Sequence, residues 1–235
     1  MDFGGLEVTW LGHAAVRIRT DDGTTVLIDP WLAGNPSCPE AEHTQERVDA
    51  IFVTHGHFDH LGDTVEVAKR AGAQVHAIHE IALWLEGAGV ENAVGSNKGG
   101  TLESVAGIRA SLTTAVHSSG ISGDVGVIPG GEAGGWVLEF PGGPTLYHAG
   151  DTMVFGDMAL VREIWEPDVA FLPIGGWYTM GPRQAAMAGR MLETEAVIPI
   201  HYGTFPILTG TPSELREAAT GAFEVVGLEI GSPVS

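Results

Sequence analysis

The 235 residues carry 30 acidic against 11 basic side chains, a formal charge of −19 with histidine neutral. Lysine occurs only at Lys69 and Lys98, so there is no cationic cluster to neutralise phosphates, and neither nucleic acid nor an anionic membrane is an expected partner. No apolar run approaches the roughly 20 residues of a membrane-crossing helix, the start Met1-Asp2-Phe3-Gly4-Gly5 lacks the basic and apolar parts of a secretion signal, and a lone Cys38 permits no internal disulfide. The expectation is one domain spanning residues 1–235, cytoplasmic, with its acidity serving solubility.

Taken in chain order, Leu6–Leu11, Ala14–Thr20 and Thr24–Ile28 read as three short strands, with Asp21-Asp22-Gly23 as a hairpin turn. Asp49–Thr54 is a buried strand. A helix is predicted over Thr64–Ala71, with Asp63 as its N-cap and Gly72 as its stop. Gln74–Ile78 reads as a strand and Ile81–Glu86 as a helix ended by Gly87. From Gly99 to Gly143 the mixture of β-formers and glycine predicts antiparallel strands. Thr145–His148 and Asp168–Pro173 are buried strands around a helix from Met158 to Glu166. That helix has Asp157 as N-cap, Leu160, Val161, Ile164 and Trp165 as its apolar stripe, and Pro167 as its terminator. Pro182 opens a helix facing inward through Ala185, Ala188, Met191 and Leu192. Ala196–Ile200 is a strand, Thr211-Pro212-Ser213-Glu214 has the form of a capping box, and Phe223–Ile230 is a closing strand. Strands covered by helices imply two sheets between helical layers.

Function is concentrated in Thr54-His55-Gly56-His57-Phe58-Asp59-His60. Three histidines and a carboxylate fall directly after the apolar run Ala50–Val53, on the loop at a strand's C-terminal end. Imidazole nitrogens and carboxylate oxygens are the donors that Zn²⁺, Mn²⁺ and Fe²⁺ accept. Alternation places His55 and His57 on one side, and a turn after Phe58 would bring Asp59 and His60 to a second ion. Capping of the next helix explains one histidine, not three with an aspartate. His117, Asp151 and His201 each follow another apolar strand, and in layered α/β folds such ends converge on one edge. Five histidines and two aspartates suffice for two ions sharing Asp151.

These segments, together with Trp10-Leu11-Gly12-His13, Leu27-Ile28-Asp29-Pro30-Trp31, Ala149-Gly150-Asp151-Thr152, Leu172-Pro173-Ile174-Gly175-Gly176, Thr179-Met180-Gly181-Pro182 and Pro199-Ile200-His201-Tyr202-Gly203-Thr204-Phe205, resemble the metallo-β-lactamase superfamily. The resemblance is to a metal-dependent hydrolase branch related to ascorbate-6-phosphate lactonase, and it spans almost the whole chain. It implies an α/β fold, the four-layer αββα sandwich. It also implies one ion on His55, His57 and His117, another on Asp59, His60 and His201, and Asp151 bridging them. Ala14 departs from the hydroxyl residue expected after Gly-His in this branch. Asp29 would orient a ligand histidine. His13 reads as a pocket or a core residue, His76 and His79 as structural, and His148 as standing behind the site.

Two divalent ions are therefore expected, zinc first, with manganese, iron or nickel also suited to these donors. A metal-bridged hydroxide would cleave an ester, lactone, amide or phosphodiester of a small molecule, with Asp59 as the catalytic residue that orients water or moves a proton. His201, Tyr202 or Thr152 would assist at the oxyanion. Arg183 is the only basic residue near a predicted site loop, and the preferred reading puts it simply in the first turn of its helix, which disfavours heavily phosphorylated substrates. Trp31, Trp177, Tyr178 and Phe205 suit an apolar rim or a core edge. A di-iron oxidoreductase would show His-x-Glu-x-Asp and a following flavin domain, whereas His57 occupies the second position here. A non-catalytic scaffold would have lost ligands. Association with further copies of the chain stays open.

Overall fold

The computed structural model describes residues 3–123 and 126–235. A first sheet runs in sequence order through β1 (Leu6–Gly12), β2 (Ala15–Thr20), β3 (Thr25–Ile28), β4 (Ala50–Phe52), β5 (Gln74–Ile78) and β6 (Ala93–Ser96). β1 to β3 are antiparallel, and the turn between β2 and β3 is held by Asp22, which accepts from Thr24 N. From β3 onward neighbours are parallel. Parallel pairing requires crossovers, which here are α1 (Phe58–Leu61) with α2 (Thr64–Ala71), and then α3 (His79–Gly87).

The second sheet begins with β7 (Thr101–Glu103) and β8 (Arg109–Thr114). A separate two-stranded ribbon follows, β9 (Gly120–Gly123) with β10 (Gly126–Pro129). The sheet then continues with β11 (Gly134–Glu139), β12 (Thr145–His148), β13 (Val169–Pro173), β14 (Ala196–Ile200) and β15 (Glu224–Val225), in the spatial order β15-β14-β13-β12-β11-β8-β7. It is antiparallel as far as β12 and parallel beyond, with α4 (Met158–Trp165), α5 (Pro182–Leu192) and α6 (Pro212–Ala219) as crossovers. α6 carries the predicted capping box: Thr211 Oγ1 accepts from Glu214 N, and Glu214 Oε2 accepts from Thr211 N.

Period-two alternation sorts the side chains into layers. Trp136 and Leu138 of β11, Phe171 of β13 and Ile198 of β14 join Val8, Ile18, Ile28 and Phe52 of the first sheet in the central core. Their neighbours Val137, Ala170, Leu172 and Val197 face the other way, against Met158, Val161, Ala185, Ala188 and Leu215. α2 and α3 cover the first sheet through Val67, Ile81 and Leu85. The result is the expected α/β arrangement of two sheets between helical layers. No helix among the described residues is long and apolar enough to cross a membrane.

Several elements depart from the sequence reading. α4 ends at Trp165 because Glu166, at φ 47°, precedes Pro167, where the α conformation is disfavoured. Its inward stripe is Met158, Val161 and, partly buried, the predicted Trp165. Leu160 and Ile164 form a second stripe that is 50% and 61% exposed. The closing strand shrinks to Glu224–Val225, and the remaining tail crosses to the first sheet, where Val8 and Val234 exchange backbone hydrogen bonds of 2.7 and 2.9 Å. Asp63 stands at the predicted N-cap position of α2 but makes no side-chain capping bond; its carboxylate accepts instead from Leu32 N at 2.5 Å and Ala33 N at 3.1 Å. α3 starts two residues before Ile81, and β6 was not anticipated.

The orientation of α4 is testable. Met158→Ala should cost about 2–5 kcal/mol in urea unfolding and Leu160→Ala less than about 0.5 kcal/mol. Comparable losses at both positions would contradict the inward face described here.

Candidate metal centre

The candidate residues leave the C-terminal ends of strands that point the same way in both sheets. His13 follows β1, Asp29 follows β3, and His55 to His60 follow β4. His117, Asp151 and His201 follow β8, β12 and β14. The two sheets meet at this edge. Trp136 Nε1 donates to Val53 O at 3.0 Å, Gly134 N to Thr54 O at 3.0 Å, and His201 N to His13 O at 2.8 Å. His13, Asp29 and His201 have φ of 55°, 47° and 54°, a region costly for non-glycine residues and frequent at functional sites. Gly150, at φ 62°, delivers Asp151. A Cβ there would lie 2.8 Å from both Gly134 O and the Thr54 side chain, so only glycine fits.

The side chains converge. Ligand atoms of His55, His57 and His117 lie within 4.8 Å of one another, and so do those of Asp59, His60 and His201, with His13 beside them. Asp151 stands between the two groups. Its Oδ1 is 3.3 Å from His60 Nε2, and its Oδ2 is 3.1 Å from His201 Nε2, 3.6 Å from His117 Nε2 and 4.0 Å from His55 Nε2. All seven predicted residues are thus brought together. His60 Nε2, both ring nitrogens of His201 and Asp151 Oδ1 are buried and have no hydrogen-bond partner. Buried polar atoms are nearly always partnered. Such bare nitrogen and oxygen donors suit a divalent cation.

A surrounding layer fixes which nitrogens face inward. Asp29 accepts from His60 Nδ1 at 2.7 Å, Thr54 N at 2.8 Å and Thr54 Oγ1 at 2.6 Å. Thr54 Oγ1, having given its proton to Asp29, accepts from His55 Nδ1 at 3.0 Å. Both histidines therefore present Nε2 to the centre. His57 Nε2 contacts Ser118 Oγ at 3.2 Å, with its Nδ1 3.0 Å from His55 Nε2. His148 sits behind, with Nδ1 accepting from Gly150 N and Nε2 donating to Ala14 O.

The sequence alone leaves His13 between a pocket and a core role. The fold places it in the site, bonded to Asp59 Oδ2 at 3.1 Å and Thr204 Oγ1 at 3.0 Å. Its signal was the same as that of the others, a histidine just past a strand. Ser118 and Thr204 were not singled out, and short polar residues in loops give no such signal.

Burial pushes His55 well below the usual histidine value and lowers His57 and His117. Burial also opposes a charge on His60, but Asp151 and Asp29 outweigh it and hold that histidine well above the usual value. For Asp151 burial acts upward, and His201 and His60 overcome it to hold the carboxyl well below the usual range. Asp59 likewise reaches about 2 despite burial, through His13 and His60.

A cavity of about 670 Å³ opens onto the cluster, with His57, Asp59, His117, Asp151 and His201 on its floor. Arg183 lies elsewhere, in the first turn of α5, lining a hollow between α5 and α6. Cys38 is buried, and burial pushes its thiol up to about 12, which rules out a ready nucleophile. His76 packs on Phe52 and bonds Ser104, away from the cluster.

The fold and the site together place this chain in a known group: it belongs to the beta-lactamase superfamily, whose domain model matches residues 24–202. It is 54% identical to the UPF0173 metal-dependent hydrolase of Koribacter versatilis, covering 92% of this chain and 93% of that one. It is 47% identical to that of Solibacter usitatus, covering 97% and 99%. Among solved structures it is similar to Igni18, a metallo hydrolase of the archaeon Ignicoccus hospitalis, with a TM-score of 0.86 at 35% identity over 97% of each chain.

His76 gives a test of electrostatics outside the cluster. Burial holds it at about 4 against an unfolded 6.5, so the unfolded chain binds the proton first. Its contribution is complete above pH 6.5 and is lost as pH falls toward 4, by up to about 1.4 kcal/mol per pH unit. Urea titrations of His76→Gln should show a shallower loss over that window than the parent chain. Parallel slopes would remove His76 from the acid response.

Proposed function

We propose that this chain is a dinuclear metal-dependent hydrolase of small molecules, cleaving an ester, lactone, amide or phosphodiester. The observation that carries this reading is the convergence of seven side chains from four strand ends, several of whose buried nitrogen and oxygen atoms make no hydrogen bond and face one another. His55, His57 and His117 would hold one cation and Asp59, His60 and His201 the other, with Asp151 serving both. Zinc fits these donors, as do manganese, iron and nickel. When bound, the cations supply Lewis acidity, acidifying a water and polarising the substrate oxygen.

The chain's own residues set the geometry of the reaction. Asp29 and Thr54 hold His60 and His55 in the tautomers that aim Nε2 inward. Asp59 is fixed on one oxygen by His13 and lines the cavity. There it orients the attacking water and passes the proton to the leaving group. One water is consumed: its oxygen bonds to carbon or phosphorus, the bond to the leaving group breaks, and the departing atom gains the proton.

Elemental analysis of purified protein should find two divalent ions per chain. Dialysis against a chelator should abolish turnover of a panel of lactones, esters, amides and phosphodiesters, and added Zn²⁺ or Mn²⁺ should restore it. Full turnover by metal-depleted protein would sink the proposal. Asp29→Asn, which takes a carboxylate from behind His60, should weaken metal affinity about 10–100-fold in competition titrations with a chelating dye. An unchanged affinity would mean that Asp29 only supports the loop.

A further inference from the structure

The walls of the cavity say more about the substrate than its floor does. Phe58 is 56% exposed, Tyr178 62% and Ile207 40%, and with Phe205 and Leu208 they face the cluster. Large apolar side chains left open to water and gathered around one hollow mark a binding surface. The wall is built rather than incidental. The buried Trp31 ring meets Phe58 edge-on at 5.6 Å and stacks on Phe205 at 5.9 Å, joining side chains from three separate segments of the chain.

Phe58 also separates this cavity from a second hollow of about 320 Å³, lined by Trp31, Trp84, Leu61 and Ile121. Phe58 and Ser122 border both spaces. A ligand anchored at the cluster therefore has an apolar continuation past Phe58, running away from the charged floor.

No lysine or arginine among the described residues lines either hollow. Most basic side chains are committed elsewhere: Arg17 to Glu42, Arg47 to Asp49, Lys98 to Glu132 and Arg109 to Glu139. Arg183 faces the groove between α5 and α6. Recognition of a phosphate or carboxylate remote from the reacting bond relies on arginine or lysine donors, and there are none here.

We propose that the substrate is an uncharged acyl compound (an ester, lactone or amide) bearing an aryl or medium-length alkyl group that lies along Phe58, Tyr178 and Ile207 and reaches toward Trp31 and Trp84. This rests on the hydrolase reading above and narrows it from any small molecule to an apolar, non-phosphorylated one. The reaction is the hydrolysis already described: the acyl carbon gains the water oxygen, loses its bond to the leaving group, and no oxidant or reductant takes part.

Hydroxamates test the wall separately from turnover. Isothermal titration of the metal-loaded protein would compare acetohydroxamate, octanohydroxamate and the eight-carbon suberic monohydroxamate, whose tail ends in a carboxylate. The octanoyl compound should bind at least tenfold more tightly than the acetyl compound, because each buried methylene is worth roughly fourfold. The carboxylate tail should lose at least tenfold against the octanoyl one. Phe58→Ala and Ile207→Ala, both at exposed positions, should each compress the octanoyl-to-acetyl ratio by fivefold or more. Affinity independent of chain length, including no binding by any of the three, or an anionic tail that binds as well as the neutral one, overturns the inference. Turnover of p-nitrophenyl octanoate is measured on the same sample. A chain-length gradient without turnover keeps the apolar site and sinks the hydrolase reading, whereas turnover without a gradient sinks the apolar site alone.

Discussion

The seam where the two sheets touch at one edge is the constraint on which the site depends. The Trp136 indole and Gly134 N reach backbone oxygens at the end of β4, and His201 N reaches the carbonyl of His13 at the end of β1. These bonds run between sheets, so they set how far His201 and Asp151, from one sheet, stand from His55, His57 and His60, from the other. The buried Trp136 has a further role, because its ring also packs against Phe52 in the middle of the core. Core packing and ligand spacing thus share one side chain.

The sheets follow one scheme twice. In each, antiparallel strands lead into parallel ones joined by helical crossovers, and the strands that bear ligands run the same way. Asp29 follows β3 at the place where Asp151 follows β12, and His13 follows β1 as His117 follows β8. The two aspartates nevertheless behave differently. Asp29 is saturated by Thr54 and His60, so its charge is spent on positioning. Asp151 keeps an unpartnered oxygen among four histidines. Similar places in the topology hold a supporting carboxylate and a candidate ligand because the surrounding donors differ.

The sequence made legible what depends on short range. The run Ala50–Val53 followed by His55-Gly56-His57 declares a buried strand and its ligand loop, and Pro182, Thr211 and Gly72 mark helix ends by backbone chemistry. Partnerships across distant parts of the chain were not legible. His13 meets Asp59, and Trp31 stands between Phe58 and Phe205, only because segments from two sheets come together. The inward face of α4 was legible only in part, through Val161 and Trp165, for a related reason. Leu160 and Ile164 are as apolar as Met158 and Val161, so periodicity offered two stripes, and only the position of the second sheet selects one. Asp63 had the right residue type for a cap, but two free backbone N–H groups at Leu32 and Ala33 competed for it and won.

The charge of −19 and the apolar wall act over different ranges. At physiological salt, exposed charges are largely screened beyond about 8 Å, so the acidic surface biases what approaches but does not choose what binds. Inside the cavity screening is weak, and the choice falls to the groups that line it. There a carboxylate or phosphate on the remote part of a substrate would meet Phe58, Tyr178 and Ile207 instead of a cation, and would give up its hydration with nothing in exchange. An alkyl or aryl group in the same place releases water from side chains that the fold holds open to solvent. In the proposed reading, cations held at the floor would act on the reacting oxygen, while the apolar wall would take the remainder of the substrate.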